Sequence, residues 1–281
     1  MNPSDHKSQR CRWAWARFRE TGLSTANSES SWLPVERGGD SRQARPYWAV
    51  PWIEVSEPYA KPPRTPTRMP AMRTLDEIEI DEPWAELVGI VAQGRVLDLS
   101  SCSTLEIRSS RLVGIRFEGV DGTEVDVHDT VFVNCDLSRV RFRSMTSSTL
   151  ESCKLTGTDF GGGTVRDVRW SACRMALANL RMAELERVRW EDCTIEETDL
   201  FDSSLTDIDL EGTVLTDVNT DRARFERVDL RGALDLGLST ISSLKGALVA
   251  PEQLPALSFA LAAALGADIE RDPDPEIEML S

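Results

Sequence analysis

Cys153, Cys173 and Cys193 stand twenty residues apart, a spacing open to three readings: metal ligands, disulfide partners, or three copies of one structural position. A tetrahedral zinc site needs four close ligands, usually as C-x-x-C or Cys/His pairs, and the sequence has no such pair. Other reactive candidates are few. Of the two histidines, His6 lies near the N-terminus, and His128 lies beside Asp126 and Asp129. That trio reads as a solvated outer face rather than an acid–base group. The "GGG" at 161–163 lacks the Lys-Ser/Thr of a phosphate loop. No G-x-S-x-G nucleophile elbow occurs. The expectation is a protein without catalytic residues, metal or cofactor.

The elements holding these residues follow a period of five. From Leu150 to Leu230, sixteen of the seventeen positions divisible by five are large and apolar. A chain that is 41% hydrophobic gives about seven by chance. The residues two before each are small or β-branched, and none of these 34 positions is charged. A helix buries i, i+3, i+4 and i+7, and a half-buried strand alternates; neither fits. Each unit of five turns two side chains inward and three outward. The same rule runs earlier in another phase, through Leu112, Phe117, Val127, Phe132, Leu137 and Phe142, with a gap at Gly122. The phase slips by three within "RSMTSST", which predicts a bulge or short loop.

"ANLRM" (178–182), "TDLFD" (198–202) and "VDLRG" (228–232) resemble the pentapeptide-repeat family, with its loose A-(D/N)-L-x-x consensus. The resemblance covers residues 97–236. It implies an all-β solenoid, a right-handed quadrilateral β-helix with four units to a coil and both small and large residues inside. Twenty residues then make one coil, so the three cysteines stack on one inner corner as small apolar filler. Trp170 and Trp190 stack likewise, between Leu150 and Leu210. About 27 units make nearly seven coils, a rod of about 30–35 Å at ~4.8 Å per rung.

Outside the repeats, residues 1–72 are proline-rich without lasting periodicity, which predicts a disordered arm or a mis-assigned start near Met69 or Met72. The basic, Trp-containing stretch 10–19 is a second candidate there, as a targeting or surface-binding element. Residues 73–96 form an N-terminal cap, with a short helix expected over 81–93 from Asp81 as N-cap, Pro83 in the first turn and Gly94 as stop. Residues 237–281 hold a helix from Pro255 to Leu265, stopped by Gly266, and an acidic tail. Leu257, Leu261 and Leu265, flanked by Phe259, offer either a cap over the last coil or a homodimer contact of the kind the family resemblance implies.

Charge narrows the function. The chain holds 32 Lys+Arg and 47 Asp+Glu, a net charge of −15. Residues 1–75 sum to +5 and the remainder to −20. An acidic body repels nucleic acid and anionic lipid and attracts basic protein surfaces. No segment reaches the ~18 apolar residues of a membrane span. Six cysteines make no disulfide framework, and a cytoplasmic location is expected. Between Arg189 and Arg222 there is no basic residue but eleven acids: Glu191, Asp192, Glu196, Glu197, Asp199, Asp202, Asp207, Asp209, Glu211, Asp217 and Asp221. All are expected to point outward as a partner-binding belt. Residues 139–189, by contrast, hold ten basic and five acidic side chains. The resemblance implies one partner class, since some family members mimic B-DNA and bind type II topoisomerases (DNA gyrase or topoisomerase IV). The basic zone argues against mimicry along the full length. The alternative is a general interaction scaffold for another basic-surfaced protein.

Overall fold

A computed structural model shows how five residues make one side of a coil. From Ser147 to Arg227 every fifth residue is left-handed, among them Ala172 (φ 52°), Leu177 (φ 55°) and Gly212 (φ 64°). Each such residue bends the chain at a corner, and the extended residues between carry the inward pair. The left-handed region is sterically costly without glycine. Here corner N–H groups find acceptors on the next coil, as in Leu177 N–H to Glu196 O at 3.1 Å and Arg222 N–H to Ser242 Oγ at 2.7 Å. The structure describes residues 59–64, 73–74, 80, 82–242 and 244–267. The chain separates into two units, Met1–Ile53 and Glu54–Ser281. The first lies wholly outside the described residues, as do Asp81, Met69, Met72, the 10–19 stretch and the tail beyond 267.

The second unit contains a parallel β-solenoid of about 8 turns. Coils pair in register at intervals of twenty: Thr164 with Glu184, Glu184 with Ser204, Ser204 with Arg224. Successive faces run through Thr164–Ser171, which turns one corner and supplies two faces, then Arg174–Ala176 on a third. The fourth is a column of single bridges from Asp159 through Asn179 and Asp199 to Asn219. The phase slip is a real irregularity. Asp126 pairs with Ser144, eighteen residues on, and the register shifts between Phe142 and Ser144. That coil is two residues short.

The inward assignment holds. Of the large positions from Leu150 to Leu230, all but Phe225 are buried, and so is every small position two before them. Trp170 is fully buried, and its ring lies 5.1 Å from that of Trp190. Leu150 pairs below and Leu210 above, as expected. Neither indole N–H meets an acceptor, so the column is held by apolar burial and ring contact.

The N-terminal end differs from expectation, and the C-terminal end follows it. The helix expected over 81–93 is instead two strands, Trp84–Val88 and Ile90–Gln93. Leu87, Ile90 and Ala92 are buried, and Gly89 and Gly94 are left-handed corners. The glycine read as a helix stop is one more corner, so the repeats begin before residue 97. Arg73–Thr74 pairs with Ile90 and Val91 along this first coil. At the other end a 3-10 turn, Pro251–Gln253, leads into helix α1, Leu254–Ala264. The Gln253 amide donates to Leu230 O (2.8 Å) and Ala233 O (3.1 Å), tying the 3-10 turn to the backbone of the last coil.

Residues 59–64 also depart from the expected disordered arm. Ala60 is buried, and the backbone N–H groups of Lys61 and Arg64 donate to Asp207 and Asp167.

Candidate functional site

The cysteines are structural. Cys135, Cys153, Cys173 and Cys193 are buried free thiols in one column. Cys135 joins it through the shortened coil, and Thr213 continues it. Cys153 N–H meets Cys173 Sγ at 3.4 Å, and Cys173 Sγ lies 3.4–3.5 Å from the carbonyls of Ser171 and Leu150. The adjacent Cys173 thiol and burial push Cys193 far above the ordinary thiol range. Among the described residues, no three His, Cys, Asp or Glu side chains gather as a metal cluster.

His128 is exposed, as expected. Its Nδ1 lies 2.6 Å from Thr146 Oγ1 and its Nε2 3.1 Å from Asp129 Oδ2, while Asp126 is held by Arg143 and Ser144. The trio is therefore part of a hydrogen-bonded surface network beside the bulge. The glycines 161–163 form a corner. A Cβ on Gly163 would lie 2.9 Å from the carbonyls of Phe142 and Arg143, so the inward place there admits only glycine.

The eleven acids divide into two groups. Glu191, Glu196, Asp199, Asp202, Asp207 and Asp209 pair with arginines, mostly on neighbouring coils: Arg169 and Arg189, Arg174, Arg181, Arg224, Arg227 and Arg189 in turn. Asp199 is further committed. Its Oδ1 accepts from Asn219 Nδ2 (2.9 Å) and Phe201 N–H (2.9 Å). Asp207 contradicts the outward placement outright. It is buried, 2.5 and 2.9 Å from the Arg227 guanidinium. The phase that turns corner residues outward fails there because Arg227 and residues 59–64 cover the carboxylate.

Asp192, Glu197, Glu211, Asp217 and Asp221 make no ion pair among the described residues, and all but the half-buried Asp221 are exposed. Their placement follows from the coil. Asp192 N–H bonds to Glu211 O, and Glu197 N–H to Thr216 O beside Asp217. These two pairs flank the face formed by Thr194–Glu196 and residues 214–216, the part of strand Val214–Thr220 before its corner at Asp217. Asp235, exposed and paired with Val214, extends the same face into the next coil. The sequence reading missed it because Arg222, Arg224 and Arg227 separate it from the acidic run. Strict twenty-residue stacking would set it over the inward Leu215; this coil is one residue longer, so Leu236 covers Leu215 and Asp235 turns outward over Val214. The belt is thus an acidic patch on the third face. Below it the sign reverses, with Arg174 pairing upward to Glu196 and Lys154 3.7 Å from Asp136.

Of the C-terminal residues, Leu257 is fully buried and Leu261 partly so, packed on the core. Helix α1 caps the last coil. Phe259 (67% exposed) and Leu265 (87%) point away from it. The four do not share one free face, because the cap uses Leu257 and Leu261.

Comparison with known proteins places the repeats. A pentapeptide repeat region is matched over residues 143–220, and pentapeptide repeats (8 copies) over 107–139. No curated protein matches the sequence. Among solved structures, a trypsin-treated form of QnrB1, a plasmid-mediated fluoroquinolone resistance protein, is 17% identical. That match covers 70% of this chain and 96% of the other, with a TM-score of 0.29. HetL, a pentapeptide repeat protein involved in heterocyst differentiation regulation in the cyanobacterium Nostoc, is also 17% identical, covering 60% and 90%, with a TM-score of 0.31.

Proposed function

We propose, on the premise that this chain is a pentapeptide-repeat protein, that it is a non-catalytic protein-binding rod whose acidic third face docks in a basic groove. The observation carrying this reading is the group of unpaired acids Asp192, Glu197, Glu211, Asp217 and Asp235 on three successive coils. Five charges over two coil rises, about 10 Å, give one per ~2 Å, close to the ~1.7 Å of B-DNA. The finer reading is a partial B-DNA mimic that modulates a type II topoisomerase such as DNA gyrase. Such an enzyme offers a cationic channel, and complementary potentials steer and orient docking.

The test measures binding of the full chain to purified gyrase at several salt concentrations. Replacing Asp192→Asn, Glu197→Gln, Glu211→Gln, Asp217→Asn and Asp235→Asn removes charge while keeping shape, and asparagine tolerates a left-handed corner. Binding is expected to weaken at least about tenfold and to lose most of its salt dependence. Unchanged binding contradicts the reading.

A specific observation favours the alternative, a scaffold for another basic-surfaced protein. Arg174 and Lys154 lie on the same face below the acids, whereas a full-length mimic has one sign throughout. A homodimer through α1 would use Phe259 and Leu265, the exposed members of its apolar set.

A further inference from the structure

The corner carrying Asp167, Arg187, Asp207 and Arg227 differs chemically from the other three. Asp167 and Asp207 are the two buried carboxylates among the described residues. Each is gripped by an arginine one coil above. Arg187 Nε and Nη2 lie 2.6 and 2.8 Å from the Asp167 oxygens, and Arg227 repeats this fork on Asp207 at 2.5 and 2.9 Å. The fork leaves Oδ1 of each aspartate a further lone pair. Those lone pairs point at the same strip of surface, two coils apart.

Residues 59–64, Tyr-Ala-Lys-Pro-Pro-Arg, fill that strip. Arg64 N–H donates to Asp167 Oδ1 (3.0 Å) and Lys61 N–H to Asp207 Oδ1 (3.3 Å). Two coil rises are about 9.6 Å. Three residues of polyproline II cover about 9.3 Å, and Pro62-Pro63 between the donors favours that conformation. Proline has no N–H, so the segment from Lys61 to Arg64 has two backbone donors, and both are bound. Ala60 is buried beyond them, and the Tyr59 hydroxyl lies 3.5 Å from Gly246 O. Spacing, donor pattern and charge all match one ligand chemistry.

We propose that this corner is a peptide-binding track for an extended basic segment with a Pro-Pro core, self-occupied by residues 59–64. Specificity comes from two backbone N–H groups three residues apart, read by two carboxylates two coils apart. The Lys61 and Arg64 charges add attraction without fixing register. The track is separate from the acidic third face, so it stands whether or not that face binds gyrase.

The test uses the full chain. Lys61→Pro with Arg64→Pro deletes both donors, keeps the polyproline conformation and leaves every repeat residue in place. The probe is a fluorescent peptide with the sequence of residues 57–66, Glu-Pro-Tyr-Ala-Lys-Pro-Pro-Arg-Thr-Pro. The double variant, its own strap released, is expected to bind the peptide saturably and at least about tenfold more tightly than the wild-type chain does. A peptide carrying proline at both donor positions is expected not to bind. In the wild-type chain, the Lys61 and Arg64 amides should exchange hydrogen far more slowly than in the free peptide. Peptide binding by neither chain, equal binding by both, or free-peptide exchange rates at those two amides would overturn the proposal.

Discussion

Asp207 shows how one residue can be misread when a chain is scanned by position alone. It sits at a corner whose counterparts Asp192 and Asp217 are exposed, yet it is buried. Burial by itself would raise its pKa, but the Arg227 fork, the Lys61 N–H and the nearby charges outweigh it and hold the carboxyl below the ordinary range. Asp167 is governed in the same way, through Arg187 and Arg64. A depressed carboxylate stabilises the fold fully above its unfolded pKa, about 4, and loses that contribution as pH falls through the lowered native value. Asp167→Asn with Asp207→Asn should therefore lower the melting temperature at pH 7. The gap to wild type should close toward pH 2–3, as scanning calorimetry would show, and a gap constant with pH would refute the pairing. The large buried side chains are simpler. Trp170→Ala removes a fully buried ring stacked on Trp190 and should cost about 3–5 kcal/mol; an unchanged denaturation midpoint would contradict the inward placement. Trp170 was legible in the sequence because burial follows the five-residue phase. Asp207 was not, because its environment comes from residues 20 and 146 positions away.

At the level of elements, the fourth face is held by a polar column more than by strand pairing. Asn179 Nδ2 donates to Asp159 Oδ1 (2.7 Å) and Asn219 Nδ2 to Asp199 Oδ1 (2.9 Å). Each acceptor also takes a backbone N–H two residues on, as Gly161 does at Asp159. Alternating Asp and Asn keeps carboxylates from stacking on one another. Asn179→Asp would set three in succession and remove a donor, costing about 1–3 kcal/mol at neutral pH. Like charges raise a carboxyl pKa, so the variant should regain stability as pH falls through that raised value. A loss independent of pH would count against the column. The D/N preference of the repeat was visible in "ANLRM" and "TDLFD", while its pairing partner one coil away was not. The N-terminal cap failed for a related reason: Pro83 and Gly94 carry equally good meaning as helix boundaries and as repeat punctuation. The buried phase at Leu87, Ile90 and Ala92 decides between them. The C-terminal helix was legible to within a residue of its bounds, because Pro255 and Gly266 act there without competition.

Across the whole solenoid, charge does two jobs. Arginines of one coil stitch to acids of another, as Arg166 does to Glu186 at 2.7 Å and Arg189 to Asp209 at 3.1 Å. Such exposed pairs add little each, about 0–1 kcal/mol, but they consume about half of the acidic run. What remains unpaired, Asp221 apart, belongs to the third-face patch, and removing that patch should leave the fold intact. The five-residue charge-removal variant is expected to melt no more than about 5–10 °C below wild type, since each surface change seldom exceeds ~0.5 kcal/mol. A large drop would mean that the patch is structural. The decisive measurement is supercoiling by DNA gyrase with the full chain added, alongside the same variant. The account predicts that wild-type protein alters supercoiling at micromolar concentration and that the variant, equally folded, does not. No effect of the wild type, or the same effect from both proteins, would contradict it.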